Sequence, residues 1–316
     1  MRPSTNATRV YSSALSVLFL LSACSPKPAA APKPDSAAAA PAAPSKVTST
    51  SGFSTPESVL WDAGQGVWFV SNINGNPSVK DGNGFISRLT ADGGIDSLHF
   101  VLSGRDGAKL NAPKGLTLVG DTLWVADIDA VRGFNSHTGK PVATVEIGPK
   151  ARFLNDIAAG PDGTLYITDT GVEFDAKGQA SHPGPDQIFA IKGRAVTVAV
   201  SGAWLEWPNG ISWNAATHQF IVVPFGGPHL LGWTPGVAKV DTLGTGPGGQ
   251  DGVEPWQGGA LVTSWTDSTV FMLEHGSTRK VVTGVGSPAD IGLDPARGLL
   301  AIPVFMENRV EFWKLQ

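Results

Sequence analysis

Pro56-Glu57-Ser58-Val59, Pro113-Lys114-Gly115-Leu116, Leu154-Asn155-Asp156-Ile157, Pro208-Asn209-Gly210-Ile211, Gln250-Asp251-Gly252-Val253 and Pro288-Ala289-Asp290-Ile291 are six versions of one tetrapeptide, a turn-like pair followed by an aliphatic residue. Their second positions lie 57, 41, 54, 42 and 38 residues apart, the spacing of propeller blades. Behind most of these anchors comes a tight turn and an alternating strand. Examples are Gly64-Gln65-Gly66 before Val67-Trp68-Phe69-Val70, Gly120-Asp121 before Thr122-Leu123-Trp124-Val125, and Asp162-Gly163 before Thr164-Leu165-Tyr166-Ile167. Gly258-Gly259 before Ala260-Leu261-Val262-Thr263 and Ala296-Arg297-Gly298 before Leu299-Leu300-Ala301-Ile302 repeat it. Runs of β-branched and aromatic residues bounded by Gly, Asp and Pro are strand and turn signals, and no helical periodicity competes with them.

Six units, each with room for three or four short strands, predict an all-β, six-bladed β-propeller over residues 51–316, with a β-sandwich as the alternative. The last unit, Asp290 to Gln316, is too short for four strands. A strand from near Val47 to Phe53 is therefore expected to complete that blade and remove the open edges of an incomplete ring.

The start of the chain reads differently. Arg2 and Arg9 precede an apolar stretch from Val10 to Leu21, which is too short for the ~20 residues of a membrane span and has the order of an export signal. Leu21-Ser22-Ala23-Cys24 is similar to the bacterial lipobox, so residues 1–23 are expected to be a lipoprotein signal peptide and Cys24 the lipidated N-terminus of the mature chain. Cys24 is the only cysteine, which excludes an intrachain disulfide and suits an oxidising envelope. Residues 24–50 collapse to Ala, Pro, Ser and Lys, a composition with no large apolar side chains to offset ordering entropy. As polyproline II such a tether reaches roughly 50 to 80 Å. The expected location is the cell envelope, on the outer membrane where the organism has two, since Ser25 rather than Asp follows the cysteine.

The whole chain carries 23 basic and 27 acidic residues, but five basic and one acidic fall in the first fifty, leaving the rest near −8. An acidic domain without basic clusters has no footprint for nucleic acid. Membrane contact is expected through the lipid alone, and the chain is read as a monomer.

In a propeller the innermost strands line a central channel, so equivalent positions form a ring at one end. Here that ring is Glu57, Lys114, Asn155, Asn209, Asp251 and Ala289. Two carboxylates and two carboxamides converge without His or Cys, an oxygen set suited to one divalent cation, Ca²⁺ foremost, with Mg²⁺ or Mn²⁺ next and Zn²⁺ less natural. Asn and Asp before Gly are also ordinary turn residues, a reading that competes at Asn155 and Asp251. Glu57, a poor turn residue beside a proline, resists it. Lys114 breaks the oxygen pattern; it either snorkels into water or points inward to meet an anionic substrate group.

Glu57-Ser58-Val59-Leu60-Trp61, Asn155-Asp156 followed by Gly160-Pro161-Asp162-Gly163, Pro208-Asn209-Gly210-Ile211-Ser212-Trp213 and Asp251-Gly252 resemble the motifs of the SMP-30/gluconolactonase/luciferin-regenerating-enzyme family, across about residues 54 to 316. The resemblance implies a six-bladed propeller in which Glu57, Asn209 and Asp251 bind the metal and Asn155 is a ligand or a neighbour that helps hold substrate. It departs from the family at Val59, where many relatives carry proline, and at Ile157, where glycine is frequent. Arg152 sits close to an arginine that some lactonases use on substrate, with the spacing off by one; the competing reading is a solvated surface arginine.

No Gly-x-Ser-x-Gly, phosphate loop or His-Glu-x-x-His is present. His218 and His229 could reach the pocket from loops, and the ten tryptophans read as packing between blades. The functional expectation is a metal-dependent hydrolase of small cyclic esters, of lactonase type, with Asp251 as base and Asn155, Lys114 and Arg152 on substrate. Its rival is a non-catalytic binding or scaffolding lipoprotein whose metal is a structural plug.

Overall fold

Alternation sets the register of the strands. In Thr122–Asp127, Leu123 and Val125 turn into the packing between blades, and the strand pairs with Pro113–Val119 on one side and Ala130–Asn135 on the other. Repeated along the chain, this gives six four-stranded antiparallel sheets in a computed structural model that describes residues 43–175 and 179–316, together with Ser12. The fold is an all-β, six-bladed propeller, and the expectation of a β-sandwich falls away.

Blades one to five run outward from the channel in chain order. Their innermost strands are Pro56–Asp62, Pro113–Val119, Leu154–Ala159, Pro208–Asn214 and Gln250–Trp256. The sixth blade starts with the short Gly292–Asp294, continues through Leu299–Val304 and Arg309–Lys314, and takes its outermost strand, Ser45–Ser51, from the other end of the chain. That strand pairs antiparallel from Ser45 opposite Lys314 to Ser51 opposite Arg309, and Lys46 donates to Glu311 at 2.7 Å. The ring thus closes as the strand count of the last repeat requires, beginning two residues earlier than Val47 and taking in residues that a boundary at Ser51 leaves to the linker.

Between blades the inward-facing side chains interdigitate. Trp68, Val70, Leu299, Val310 and Phe312 seal the sixth blade against the first, with the Trp68 and Phe312 rings 5.5 Å apart. A small hairpin, Glu173–Phe174 with Ala180–Ser181, is inserted between the second and third strands of blade three. Cys24, the signal segment apart from Ser12, and the tether up to residue 42 lie outside the described residues.

Candidate metal centre

The first pair of each innermost strand is in register with its neighbour, and then the register slips. The slips fall between Pro56 and Val59, Pro113 and Leu116, Leu154 and Ile157, Pro208 and Gly210, and Gln250 and Val253. A bulge re-aims the side chain it carries. Glu57, Lys114, Asn155, Asn209 and Asp251 all sit in these bulges, and all five line one cavity of about 310 Å³. The sixth equivalent position, Ala289, contributes no polar atom.

The glycines of the Lys-Gly, Asn-Gly and Asp-Gly pairs are not turn glycines. None of Gly115, Gly210 and Gly252 has a left-handed φ, and a Cβ on Gly115 would lie 2.2 Å from Asp156 Oδ1, one on Gly252 2.5 Å from the Asp290 backbone. They are needed because adjacent inner strands approach closely at the channel, so the turn reading of Asp251 fails; that of Asn155 fails too, since it lies in the bulge of the strand Leu154–Ala159.

All five polar side chains are at least nine-tenths buried. Glu57 Oε2, Asn155 Oδ1 and Asp251 Oδ1 have no hydrogen-bond partner. The orientation of Asn155 is fixed by its surroundings: Thr170 Oγ1 donates to the Pro208 carbonyl at 3.0 Å and so accepts from Asn155 Nδ2 at 3.2 Å, leaving Oδ1 on the cavity side. Buried oxygens without partners are costly in a folded protein. Three of them around one cavity are what a hard cation satisfies. Among the described residues no group of three or more His, Cys, Asp or Glu is placed to hold a metal, so this centre depends on the two carboxamides and offers nothing of zinc's nitrogen and sulfur preference.

The electrostatics point the same way. Burial pushes the Glu57 carboxyl well above its ordinary range, and the Asp251 and Asp290 charges add to the rise, while Lys114 opposes it. Asp251 is raised by burial and then by Asp290; the Trp265 indole beside it lowers it somewhat without a hydrogen bond of normal geometry. Burial pulls Lys114 down to about 8 against the attraction of Glu57 and Asp127. Lys114 does not snorkel. Its Nζ donates to the Ala112 carbonyl at 3.2 Å and lies 4.2 Å from the Phe153 ring centroid.

The walls above this floor come from two further sets of equivalent positions. One residue past the second strand of a blade stand Ile73, Thr170, Phe225, Trp265 and Phe305; two residues before the ring position stand Phe153 and Trp207. Backbone bonds tie the two sets together, from Ile73 to Thr55, Thr170 to Phe153, Phe225 to Trp207, Trp265 to Gly249 and Phe305 to Ser287. Trp207 has a left-handed φ of 66°, as Thr55, Gly249 and Ser287 do at the same position in other blades. It is held there by Asp186, which accepts from its backbone N–H at 3.0 Å, and by His182, whose ring stacks on the indole at 4.4 Å. Phe225, Trp265 and Phe305 form a continuous belt with centroids 5.8 and 5.3 Å apart. The reading of the tryptophans as inter-blade packing holds for Trp68 and Trp233 but not for Trp207 and Trp265. A fixed offset from each anchor was the signal that could have found these walls.

Three sequence candidates are not brought here. Arg152 is ion-paired with Glu173 on the inserted hairpin and is half exposed, because its backbone is pinned outward by Asp169. His229 pairs with Glu206 at 2.5 Å, and His218 sits exposed in the turn between the two inner strands of blade four, against Trp213.

No family model and no curated protein matches the chain. Solved structures do. The gluconolactonase from Xanthomonas campestris superposes with a TM-score of 0.62 at 15% identity, covering 84% of this chain and 87% of the other. A luciferin-regenerating enzyme gives 0.64 at 11%, covering 87% and 94%. The fold is that of these propellers. Virginiamycin B lyase from Staphylococcus aureus also matches, at 0.57 and 13% identity over 85% and 99%. The first two neighbours agree with the family that the motifs resemble, and the lyase shows that the same fold carries other chemistry.

Proposed function

We propose that this protein is a divalent-metal-dependent hydrolase of small cyclic esters, of lactonase type, exported and anchored in the cell envelope through Cys24. The observation that carries the catalytic reading is the convergence of three unpartnered buried oxygens, on Glu57, Asn155 and Asp251, at the floor of an open cavity. A structural plug would need no cleft above it.

Glu57, Asn209 and Asp251 would hold the cation, with Asn155 as a fourth ligand or its neighbour, and Ca²⁺ suits the donor set best. A cation bound there supplies positive charge that polarises an ester carbonyl. Asp251 takes a proton as water oxygen bonds to the carbonyl carbon. Lys114 faces the oxyanion that develops, in a site where burial strengthens the interaction. The ring C–O bond then breaks, and the departing oxygen recovers the proton from Asp251, giving a hydroxy acid. Arg152, committed to Glu173, takes no part.

A hydrolysis screen across lactones and aryl esters, with and without added Ca²⁺, Mg²⁺ or Mn²⁺, tests the reading. Activity should depend on the cation and disappear with chelator. Lys114→Met should retain or tighten metal affinity while lowering turnover of neutral and negatively charged lactones alike, since the oxyanion develops on both. Chelator-resistant hydrolysis, or none on any ester, would overturn the proposal.

A further inference from the structure

We infer that the cavity accepts a hydroxyl-poor cyclic ester with an aromatic or alkyl body, and not a polyhydroxylated sugar lactone. This deepens the lactonase reading and rests on it for the reacting group, but the preference itself follows from the walls.

The walls above the floor are Ile73, Phe153, Trp207, Phe225, Trp265 and Phe305, a nearly unbroken apolar lining. The polar capacity lies low. Glu57 Oε2, Asn155 Oδ1 and Asp251 Oδ1 are acceptors at the candidate metal position, and the Trp265 indole N–H, beside Asp251, is a donor without a partner. Lys114 Nζ and the Asn209 carboxamide are on the floor as well. Thr170, the one hydroxyl in the lining, is already committed to Pro208 and Asn155.

A sugar lactone seated with its carbonyl on that floor presents its hydroxyls to side chains that cannot pair with them, and each buried unpaired hydroxyl is penalised. An aromatic or alkyl body in the same pose instead removes apolar surface from water against edges and faces of rings. The wall is also rigid. The Trp207 indole is fixed between His182 and the Cα of Gly226, where a Cβ would come within 2.6 Å of the ring. What it shows to the cavity is therefore held in place and cannot rearrange to offer hydrogen bonds.

The test uses hydrolysis-resistant lactams, so that binding is read apart from turnover. The Ca²⁺-equilibrated protein is titrated calorimetrically with 3,4-dihydroquinolin-2-one, an aryl lactam, and with gluconolactam. The aryl lactam should bind at least ~30-fold more tightly, the effect of one or two unpaired hydroxyls. Phe225→Ala should weaken aryl binding by about tenfold, the loss of one aromatic contact, while changing gluconolactam less than about twofold. Trp207→Gly, which suits the left-handed φ, should do the same and guards against misfolding of the first variant. Equal affinities, tighter binding of the sugar lactam, or no binding of either would overturn the inference. Turnover of the matching lactones separates it from the proposal it rests on. Aryl lactam preference without dihydrocoumarin hydrolysis removes the hydrolase and leaves the preference. Faster turnover of glucono-δ-lactone than of dihydrocoumarin removes the preference and leaves the hydrolase.

Discussion

The two ends of the channel use the same kind of residue in opposite ways. At one end Glu57 and Asp251 each leave an oxygen without a partner, under an aromatic-walled cavity. At the other, a cavity of about 180 Å³ is lined by Asp156, Glu254 and Asp290 among mostly aliphatic side chains and Trp213. There Asp156 and Asp290 are tied down. Asp156 accepts from the backbone N–H of Ile157 at 2.6 Å and of Ile211 at 2.7 Å, bridging blades three and four, and Asp290 accepts from Ser58 Oγ at 2.5 Å, bridging six and one. Burial pushes Asp156 well above its ordinary range and Asp290 up to about 7, with those hydrogen bonds opposing the shift. Burial alone therefore does not distinguish a ligand from a strut. The partners do: a carboxyl whose oxygens are committed to neighbouring blades holds the ring, and one whose oxygen faces a cavity unpaired is available to a cation.

That contrast breaks most readily at the ligand end. Glu57→Gln and Asp251→Asn should each weaken Ca²⁺ binding by more than ~100-fold, beyond the 10- to 100-fold typical of groups that merely orient ligands, while the propeller stays folded. Calorimetric titration of both variants checks it, and wild-type affinity would move these residues to the structural class.

Asp156→Asn sharpens the other side. One of its two backbone bonds would face an amide N–H₂ in place of an oxygen, so unfolding free energy should fall by about 2 kcal/mol, with Ca²⁺ affinity within about twofold of wild type. Denaturant unfolding and the same titration measure the two quantities. A large loss of metal affinity with unchanged stability would mean that the two ends are not separate in function.

The smallest effect concerns Glu254, which burial raises to about 8. Unfolded, it titrates near ~4.3. A carboxyl raised on folding contributes stability that is fully present below its unfolded value and is lost as pH rises through its folded value, here from about pH 4 to 8. Glu254 keeps some solvent contact at the mouth, so the slope should be shallow. In metal-free protein Glu254→Gln should flatten the decline in unfolding free energy across that window; an identical slope in wild type and variant would show that Glu254 is not the group responsible.

Much of this was legible in the sequence because a propeller writes its architecture as repetition. Six anchors at blade spacing gave the blade count, and the shortfall after Asp290 called for a closing strand, found at Ser45–Ser51. Equivalence of the anchors also brought Glu57, Lys114, Asn155, Asn209 and Asp251 together, since residues at one repeat position must share one height in the channel. Three things were decided only by the tertiary structure. Whether Lys114 turned inward depended on Phe153 and the Ala112 carbonyl, which belong to the approaches of two adjacent blades. Arg152 was lost to Glu173 on an inserted hairpin that no repeat announces. The glycines beside the ring looked like turns because a tetrapeptide does not reveal that a neighbouring strand, some 40 residues away in sequence, lies within van der Waals contact of its Cα. Periodicity in a chain fixes which positions are equivalent; what each one touches depends on distances between blades, and those exist only once the ring has closed.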